Sequence, residues 1–260
     1  YGINGVYNNP LPFFRLKSTN GGSNWSFINN GISTNCGRWF PAIYTDEESP
    51  VWLYTNQCNR LFRSQDQGAS WVQLSPDFAG EIGSFSLSSN GSAIYCSMDM
   101  NANSTDKIKV YNGSSWAERH LGIPDNVYVY RVRVHTNNSL SSQSAYAITR
   151  PGLGNPCLYK TNNQGLNWRS ISDAVINNTF VTDILPDPRD TNKLYLATST
   201  GSFRSTNAGV SWHKWNNGMP DGTIINELSF IDSTSINKIY AVAGTFGRSI
   251  YIREVSGDDP

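Results

Sequence analysis

The sequence has little net charge, few charged residues and no long apolar run. Lys plus Arg and Asp plus Glu number 20 each among 260 residues, and only 15% of all residues are charged. This balance argues against a nucleic-acid or membrane-surface partner, because such partners select a strongly basic face. No stretch reaches the roughly 18 apolar residues of a membrane-spanning helix. The chain starts at Tyr1 with no signal-like segment, as expected of a mature product or an excised piece.

Cysteine is also scarce, and its spacing is not that of a metal or redox motif. The four cysteines are Cys36, Cys58, Cys96 and Cys157, and the sequence therefore predicts no metal site and no cofactor. Cys36 and Cys58 flank two predicted strands joined by a turn at residues 46–50. Antiparallel pairing about that turn would bring the two sulfurs together, so a disulfide and two free buried thiols both remain open. Six N-x-S/T sequons add weak support for a secreted or cell-surface location.

What the chain does contain is a repeated motif, S/T-x-D/N-x-G-x-x-W. Full copies occupy residues 18–25, 64–71, 161–168 and 205–212, and a degenerate copy, YNGSSW, occupies 111–116. Successive tryptophans lie 46, 45, 52 and 44 residues apart, a period that suits one four-stranded propeller blade. The motif positions in the full copies are Ser18, Asn20, Gly22, Trp25, Ser64, Asp66, Gly68, Trp71, Thr161, Asn163, Gly165, Trp168, Ser205, Asn207, Gly209 and Trp212.

The flanks of the motif repeat as well. Each copy follows a short strand, which follows an aromatic-centred strand and, earlier still, an apolar strand such as VTDILPD. The sequence therefore predicts an all-β protein, a β-propeller of four-stranded antiparallel blades with five or six blades visible. Residues 1–255 are predicted as one propeller domain and 256–260 as a polar tail or the start of a linker. Either N-terminal strands complete the last sheet and close a ring, or the chain is part of a larger propeller.

Each motif residue has a physical role in a turn. Ser or Thr and Asp or Asn accept hydrogen bonds from turn amides, and the Gly permits a positive φ. The Trp is predicted to bury its ring between adjacent sheets. A calcium or sugar loop is the alternative interpretation, but recurrence in blade after blade favours a structural role.

These copies resemble the Asp-box (BNR) repeats of sialidases, sortilin-type receptors, xyloglucan-active glycoside hydrolases and bacterial surface proteins. The resemblance covers essentially the whole chain and implies the propeller fold. It says little about function, because this architecture hosts unrelated activities. Sialidases hold the substrate carboxylate with three arginines, the first usually in an R-I-P sequence. This chain has no R-I-P, since GIP at residues 122–124 lacks the arginine.

Candidate ligand-binding residues nevertheless exist. Arg131 and Arg133 alternate onto one face of a predicted inner strand, where they either line a channel or pair with acids between blades. Arg150 precedes PGLGNP at 151–156, one of two departures from the repeat; the other is the loop at 98–106. The predicted ligand-binding set is Arg38, Trp39, Arg131, Arg133 and Arg150. Other aromatic residues that either stack on sugars or fill sheet interfaces are Trp52, Tyr128, Tyr130 and Trp215.

No catalytic residue is assigned. Glycoside hydrolysis needs two carboxylates about 5–10 Å apart, and none of the loop or inner-strand acids has a distinguishing neighbourhood. These acids are Asp77, Glu81, Asp125, Asp183 and Glu227. The leading hypothesis is therefore a non-enzymatic extracellular binding or adhesion propeller that recognises a glycan or an extracellular protein. The alternatives are a sialidase-like or polysaccharide-active glycoside hydrolase, and a structural module joined to other domains of a larger cell-surface protein.

Overall fold

A computed structural model describes residues 1–5, 13–33, 41–46, 48–99, 106–135, 143–150, 156–177, 179–233 and 238–255. These residues form 22 β-strands and no helix. Accordingly, no helix in the described ranges is long and apolar enough to span a membrane. The chain divides into two compact units, Tyr1–Arg119 and His120–Pro260.

Unit 1 holds three antiparallel sheets whose strands follow one another in chain order. Sheet 1 comprises β1 (Gly2–Gly5), β2 (Phe13–Lys17) and β3 (Ser26–Phe27). Sheet 2 comprises β4 (Ile43–Thr45), β5 (Leu53–Gln57), β6 (Arg60–Ser64) and β7 (Val72–Gln73). Sheet 3 comprises β8 (Glu81–Leu87), β9 (Ile94–Asp99), β10 (Ile108–Tyr111) and β11 (Trp116–Glu118).

Unit 2 holds three further sheets of the same kind. Sheet 4 comprises β12 (Val129–Val134), β13 (Ala145–Thr149), β14 (Leu158–Thr161) and β15 (Arg169–Ser170). Sheet 5 comprises β16 (Val181–Pro186), β17 (Leu194–Thr198), β18 (Gly201–Ser205) and β19 (His213–Lys214). Sheet 6 comprises β20 (Ile225–Ser233), β21 (Lys238–Thr245) and β22 (Ile250–Glu254).

This arrangement confirms the predicted all-β fold and its blades. Four of the sheets have four strands, and each full motif copy lies between the third and fourth strand of such a blade or between the corresponding strands β2 and β3. The described strands of sheet 1 and of sheet 6 number three each.

The second strand of a blade carries most of the core. Every residue of β5, β13 and β17 is buried, and both faces of β5 and of β17 belong to apolar clusters with neighbouring sheets. In unit 2, apolar residues of sheets 4 and 5 form one cluster that includes Tyr146, Leu158 and Trp212. Burial of this kind drives folding through the removal of apolar surface from water.

A register shift recurs in the first strand of four blades. The shifts lie between Ile82 and Ser84, Val129 and Arg131, Val181 and Asp183, and Ile225 and Glu227. A β-bulge of this kind re-aims the side chains that follow it. It places four residues at one equivalent position of successive blades: Ser84, Arg131, Asp183 and Glu227.

Candidate functional site

The four full motif copies form the same turn. In each, the Gly N–H donates to the hydroxyl oxygen of the Ser or Thr four residues earlier, at 2.7–3.0 Å. The N–H of the residue before the Trp donates to the Asp or Asn Oδ1 at 2.9–3.0 Å. The motif Gly has a φ of 79–89°, and the residue before it also has a positive φ. Sequence reasoning anticipated the positive φ of the motif Gly but not that of the residue before it.

One copy carries a carboxylate rather than an amide. Asp66 accepts hydrogen bonds from the Ser70 hydroxyl at 2.6 Å and the Ser64 hydroxyl at 2.7 Å. These bonds, with that from the Ser70 N–H, lower the pKa of Asp66 to about 2. The carboxylate is thus committed to its own turn, and in the described residues no group of three or more His, Cys, Asp or Glu side chains is placed to hold a metal ion.

Two motif tryptophans bond to the preceding sheet of their own unit. The indole N–H of Trp71 donates to Ile28 O at 2.6 Å and that of Trp212 to Ile171 O at 2.9 Å. Each acceptor directly follows the last strand of that sheet, and Trp71, Trp168 and Trp212 are all buried. Trp25 departs from the prediction of a buried ring: it is 48% exposed, because its indole N–H donates to Gly22 O of its own turn rather than to another sheet.

A charged cluster joins the first strands of the three blades in unit 2. Arg133 on β12 donates through Nη2 to Asp183 Oδ2 at 2.5 Å and through Nε to Asp183 Oδ1 at 3.2 Å. Arg131 Nη1 lies 3.2 Å from the same Oδ2. The Glu227 carboxylate on β20 lies 3.9 Å from Arg133 Nη2. The repeated bulge brings these charges together by setting three of them at equivalent positions.

Backbone groups complete the surroundings of Asp183. The Ile184 N–H donates to Oδ1 at 2.9 Å, and the Leu228 N–H donates to Oδ2 at 3.0 Å. The Asp183 side chain has 0% exposure, whereas Arg131 and Arg133 keep 23% and 18%. Burial lowers the pKa of Arg131, but the Asp183 carboxylate outweighs it, so that this pKa stands above its ordinary value. Asp183 therefore fixes two guanidinium groups that solvent still reaches.

The chemistry open to this cluster is anion binding. A fully buried carboxylate that is surrounded by five nitrogen donors from four residues has no room to approach a glycosidic oxygen, as a general acid must. Partly exposed guanidinium groups, by contrast, bind carboxylates and phosphates with directed N–H groups. Sequence reasoning offered pairing of Arg131 and Arg133 with acids between blades as one alternative but did not identify Asp183 and Glu227 as those acids. The sequence feature that could have identified the cluster is an acidic residue, Asp183, within the mostly apolar strand VTDILP.

Arg150 lies elsewhere in unit 2. Arg150 is exposed, and its guanidinium lies 5.4 Å from the Tyr128 ring centroid. The backbone N–H of Arg150 donates to the backbone carbonyl of Tyr128 at 3.2 Å. Arg38 and Trp39 lie outside the described residues, as do 100–105 and 151–155 of the two loops that depart from the repeat.

The predicted aromatic candidates lie among other rings and cations. Tyr130 packs against Phe180 at 5.8 Å, and Trp215 packs against Tyr195 at 4.9 Å. The Trp52 ring lies 4.9 Å below the Arg63 guanidinium. These contacts favour the packing role over a free sugar-stacking platform.

The remaining candidate acids lie in separate places. Asp77 forms an exposed ion pair with Arg60 at 2.5 Å. Glu81 begins β8, and Asp125 lies in an exposed turn before β12.

Two kinds of cysteine are present. Cys58 is disulfide-bonded, and Cys36, its predicted partner, lies outside the described residues. Cys96 and Cys157 are free and buried, and burial raises the pKa of both thiols. Neither is therefore available as a thiolate nucleophile.

Comparisons with known proteins identify the fold. No protein-family model and no curated protein sequence matches the chain. YCF48 bound to D1 peptide aligns with a TM-score of 0.64 and 15% identity over 98% of this chain and 74% of that chain. An ancestral GH74 enzyme aligns with a TM-score of 0.70 and 18% identity over 99% of this chain and 37% of that chain. The extracellular domain of BT4673 from B. thetaiotaomicron aligns with a TM-score of 0.61 and 15% identity over 100% of this chain and 31% of that chain.

These likenesses define a class. The protein is a β-propeller, similar to a GH74 enzyme, to a peptide-bound YCF48 and to an extracellular domain. The chain spans only about a third of the GH74 enzyme and of the BT4673 domain. At identities of 15–18% the likeness shows the fold alone.

Proposed function

We propose that this protein is an extracellular Asp-box propeller that binds a glycan or protein surface bearing an acidic group, without turning it over. One observation carries the proposal: Asp183 is fully buried and satisfied, while the two arginines that it holds remain accessible. The recurrent box turn supports membership of the Asp-box (BNR) repeat proteins. Arg131 and Arg133 are the binding residues, with Arg38, Trp39 and Arg150 as further predicted contributors.

The geometry of the cluster suits recognition of a carboxylate. Asp183 fixes both guanidinium groups through directed bonds, so little side-chain freedom remains to be lost when a ligand binds. The charges of the two guanidinium groups are balanced by the carboxylates of Asp183 and Glu227. Glu227 is 61% exposed and lies 3.9 Å from Arg133, so solvent screens its charge and Arg131 is the arginine that it offsets least.

An extracellular location is supported by the disulfide at Cys58. Disulfides persist in oxidising compartments and are rare in reducing ones. The six sequons agree with export, and one similar structure is itself an extracellular domain. The partners proposed are accordingly an extracellular glycan or protein, or other domains of a larger surface chain.

A structural module is the second candidate. The observation in its favour is β22, which among the described strands pairs only with β21 and exposes Ile250 and Ile252. Unpaired strand edges attract further strands. A glycoside hydrolase is the third candidate, but it requires a free acid pair, and Asp183 is withheld from that role.

The deciding experiment is a glycan array probed with the purified protein, with released sugar measured in the same wells. We expect saturable binding to carboxylate-bearing glycans and no release. Arg131→Gln should weaken that binding at least tenfold, since a charge-assisted pair is lost. Arg248→Gln is the matched control, because it removes the same charge from an exposed loop of the same unit.

Each other outcome has a distinct meaning. Released sugar would overturn the non-catalytic proposal in favour of a hydrolase. Binding that Arg131→Gln leaves unchanged would show that the arginine cluster is not the binding site. If neither glycan binding nor released sugar is detected, the structural module is favoured.

A further inference from the structure

Arg15 occupies a position that is uncharged in other blades. It lies on β2, three residues before the box residue Ser18, and its side chain has 0% exposure. The same position before the other full boxes holds Leu61, Leu158 and Ser202, all of them buried. A guanidinium thus stands where the repeat elsewhere places a small or apolar core residue.

The partners of this guanidinium are all neutral. Nε donates to Thr55 Oγ1 at 3.0 Å, and Nη2 donates to Asn56 O and to Gln57 Oε1, both at 2.7 Å. Nη1 is buried and has no hydrogen-bond partner. No ion pair between Arg15 and an acid is found in the part of the chain that the structure describes.

The charge nevertheless persists at neutral pH. Burial lowers the pKa of Arg15 only to about 10, so the side chain remains protonated at pH 7. A buried charge without a counter-charge is strongly destabilising, and each unpaired buried N–H adds to the cost. An anion at Nη1 would relieve both penalties at once.

We infer that Arg15 is the centre of an anion site that takes a chloride ion. The donors that remain are the two N–H groups of a single nitrogen, because Nε and Nη2 are fully used. A carboxylate prefers two nitrogens side by side, whereas a spherical ion needs only one. Arg15 has 0% exposure, so the guest must be small, and it enters where the Gln57 side chain, which also lines the neighbouring cleft, moves away from Arg15.

A path toward the site lies beside Gln57. Its Oε1 holds Arg15, and its side chain also lines a cleft of about 470 Å³ in unit 1. Other walls of that cleft are Gly31, Ser33, Asn59 and Arg60. This inference is independent of the proposed function, since it concerns the other unit and a different ligand.

The test is unfolding in urea while chloride replaces gluconate at constant ionic strength. Gluconate is too large for a sealed site, so the exchange isolates the specific effect of the ion. At chloride ten times above its Kd, the folding equilibrium constant should rise about tenfold. Arg15→Leu, which installs the residue found at Leu61 and Leu158, should fold and lose this response.

A second variant guards against misfolding of the first. Gln57→Glu places a carboxylate where Oε1 already lies 2.7 Å from Nη2, so Arg15 gains an internal counter-charge and the chloride response should disappear. A crystal soaked in bromide should show an anomalous peak beside Nη1. The inference is overturned if the wild type ignores chloride, if both variants respond as the wild type does, or if no such peak is present.

Discussion

Asp183→Asn is the most informative single change in the charged cluster. The amide keeps the shape of the side chain but removes the charge that faces Arg133 at 2.5 Å and Arg131 at 3.2 Å. It also sets one amide N–H₂ group against donors, because all five nitrogens around the Asp183 carboxylate donate. Breaking a buried ion pair by removing one partner costs about 3–5 kcal/mol. We expect the free energy of unfolding to fall by about 3 kcal/mol, since the arginines retain some solvent.

Glu227→Gln is the matched control. It removes the same charge from the equivalent position of the next blade, but this carboxylate is 61% exposed and 3.9 Å from Arg133. Its cost should stay below about 0.5 kcal/mol. Urea unfolding followed by tryptophan fluorescence and circular dichroism measures both variants. A loss of under about 1 kcal/mol for Asp183→Asn, or equal losses for the two variants, would refute the reasoning.

The same variant separates binding from catalysis. In a binding protein, Asp183→Asn leaves Arg131 and Arg133 without their carboxylate, so affinity for an acidic ligand should be kept or increased under conditions where the variant is folded. In a hydrolase that uses Asp183, turnover would disappear. Isothermal titration with the glycan found on the array, measured beside released sugar, distinguishes these results.

Three further predictions concern the repeats and pH. Gly68→Ala should lower the free energy of unfolding in urea by about 1–3 kcal/mol more than Gly22→Ala does. Both glycines have a φ of +89°, but only a Cβ at residue 68 would lie 2.7 Å from an isoleucine, Ile28. Equal losses for the two variants would contradict this prediction. Trp212→Ala should lower the free energy of unfolding by about 3–5 kcal/mol, because the Trp212 ring is buried. Trp25→Ala should lower it by less than half as much, because the Trp25 ring is 48% exposed. Burial and a nearby lysine lower the pKa of His135 to about 4, so its folded form binds fewer protons. Stability should therefore fall by about 3 kcal/mol between pH 6.5 and 4, a slope that His135→Gln should flatten.

The blades could be predicted because their determinants are local. The Ser or Thr, Asp or Asn and Gly of a box are linked by hydrogen bonds within eight residues, so the turn can be predicted from the motif alone. The period of the motif then predicts the blade. The exposure of Trp25 could not be predicted in this way, because the carbonyl that accepts from a box indole lies in another sheet for Trp71 and Trp212 but in the same turn for Trp25.

The site was only partly predictable, since its contacts join different blades. Arg131 and Arg133 were expected on one strand face, but their shared partner Asp183 lies 50 residues beyond Arg133. The bulge that aligns them has no fixed residue type: Tyr130, Thr182 and Asn226 lie at the shifted step of the three strands. A register shift without a sequence signature hides which side chains meet.

The bonds from the Trp71 and Trp212 indoles to the preceding sheet have a spectroscopic consequence. Trp71 is held by the carbonyl of Ile28 and Trp212 by that of Ile171, so each ring reports on a sheet other than its own. Loosening of sheet 1 would appear first in the emission of Trp71, which belongs to sheet 2. Loosening of sheet 4 would appear in Trp212, which belongs to sheet 5. The fluorescence emission of variants that keep only Trp71 or only Trp212 would therefore show whether sheet 1 or sheet 4 loosens first.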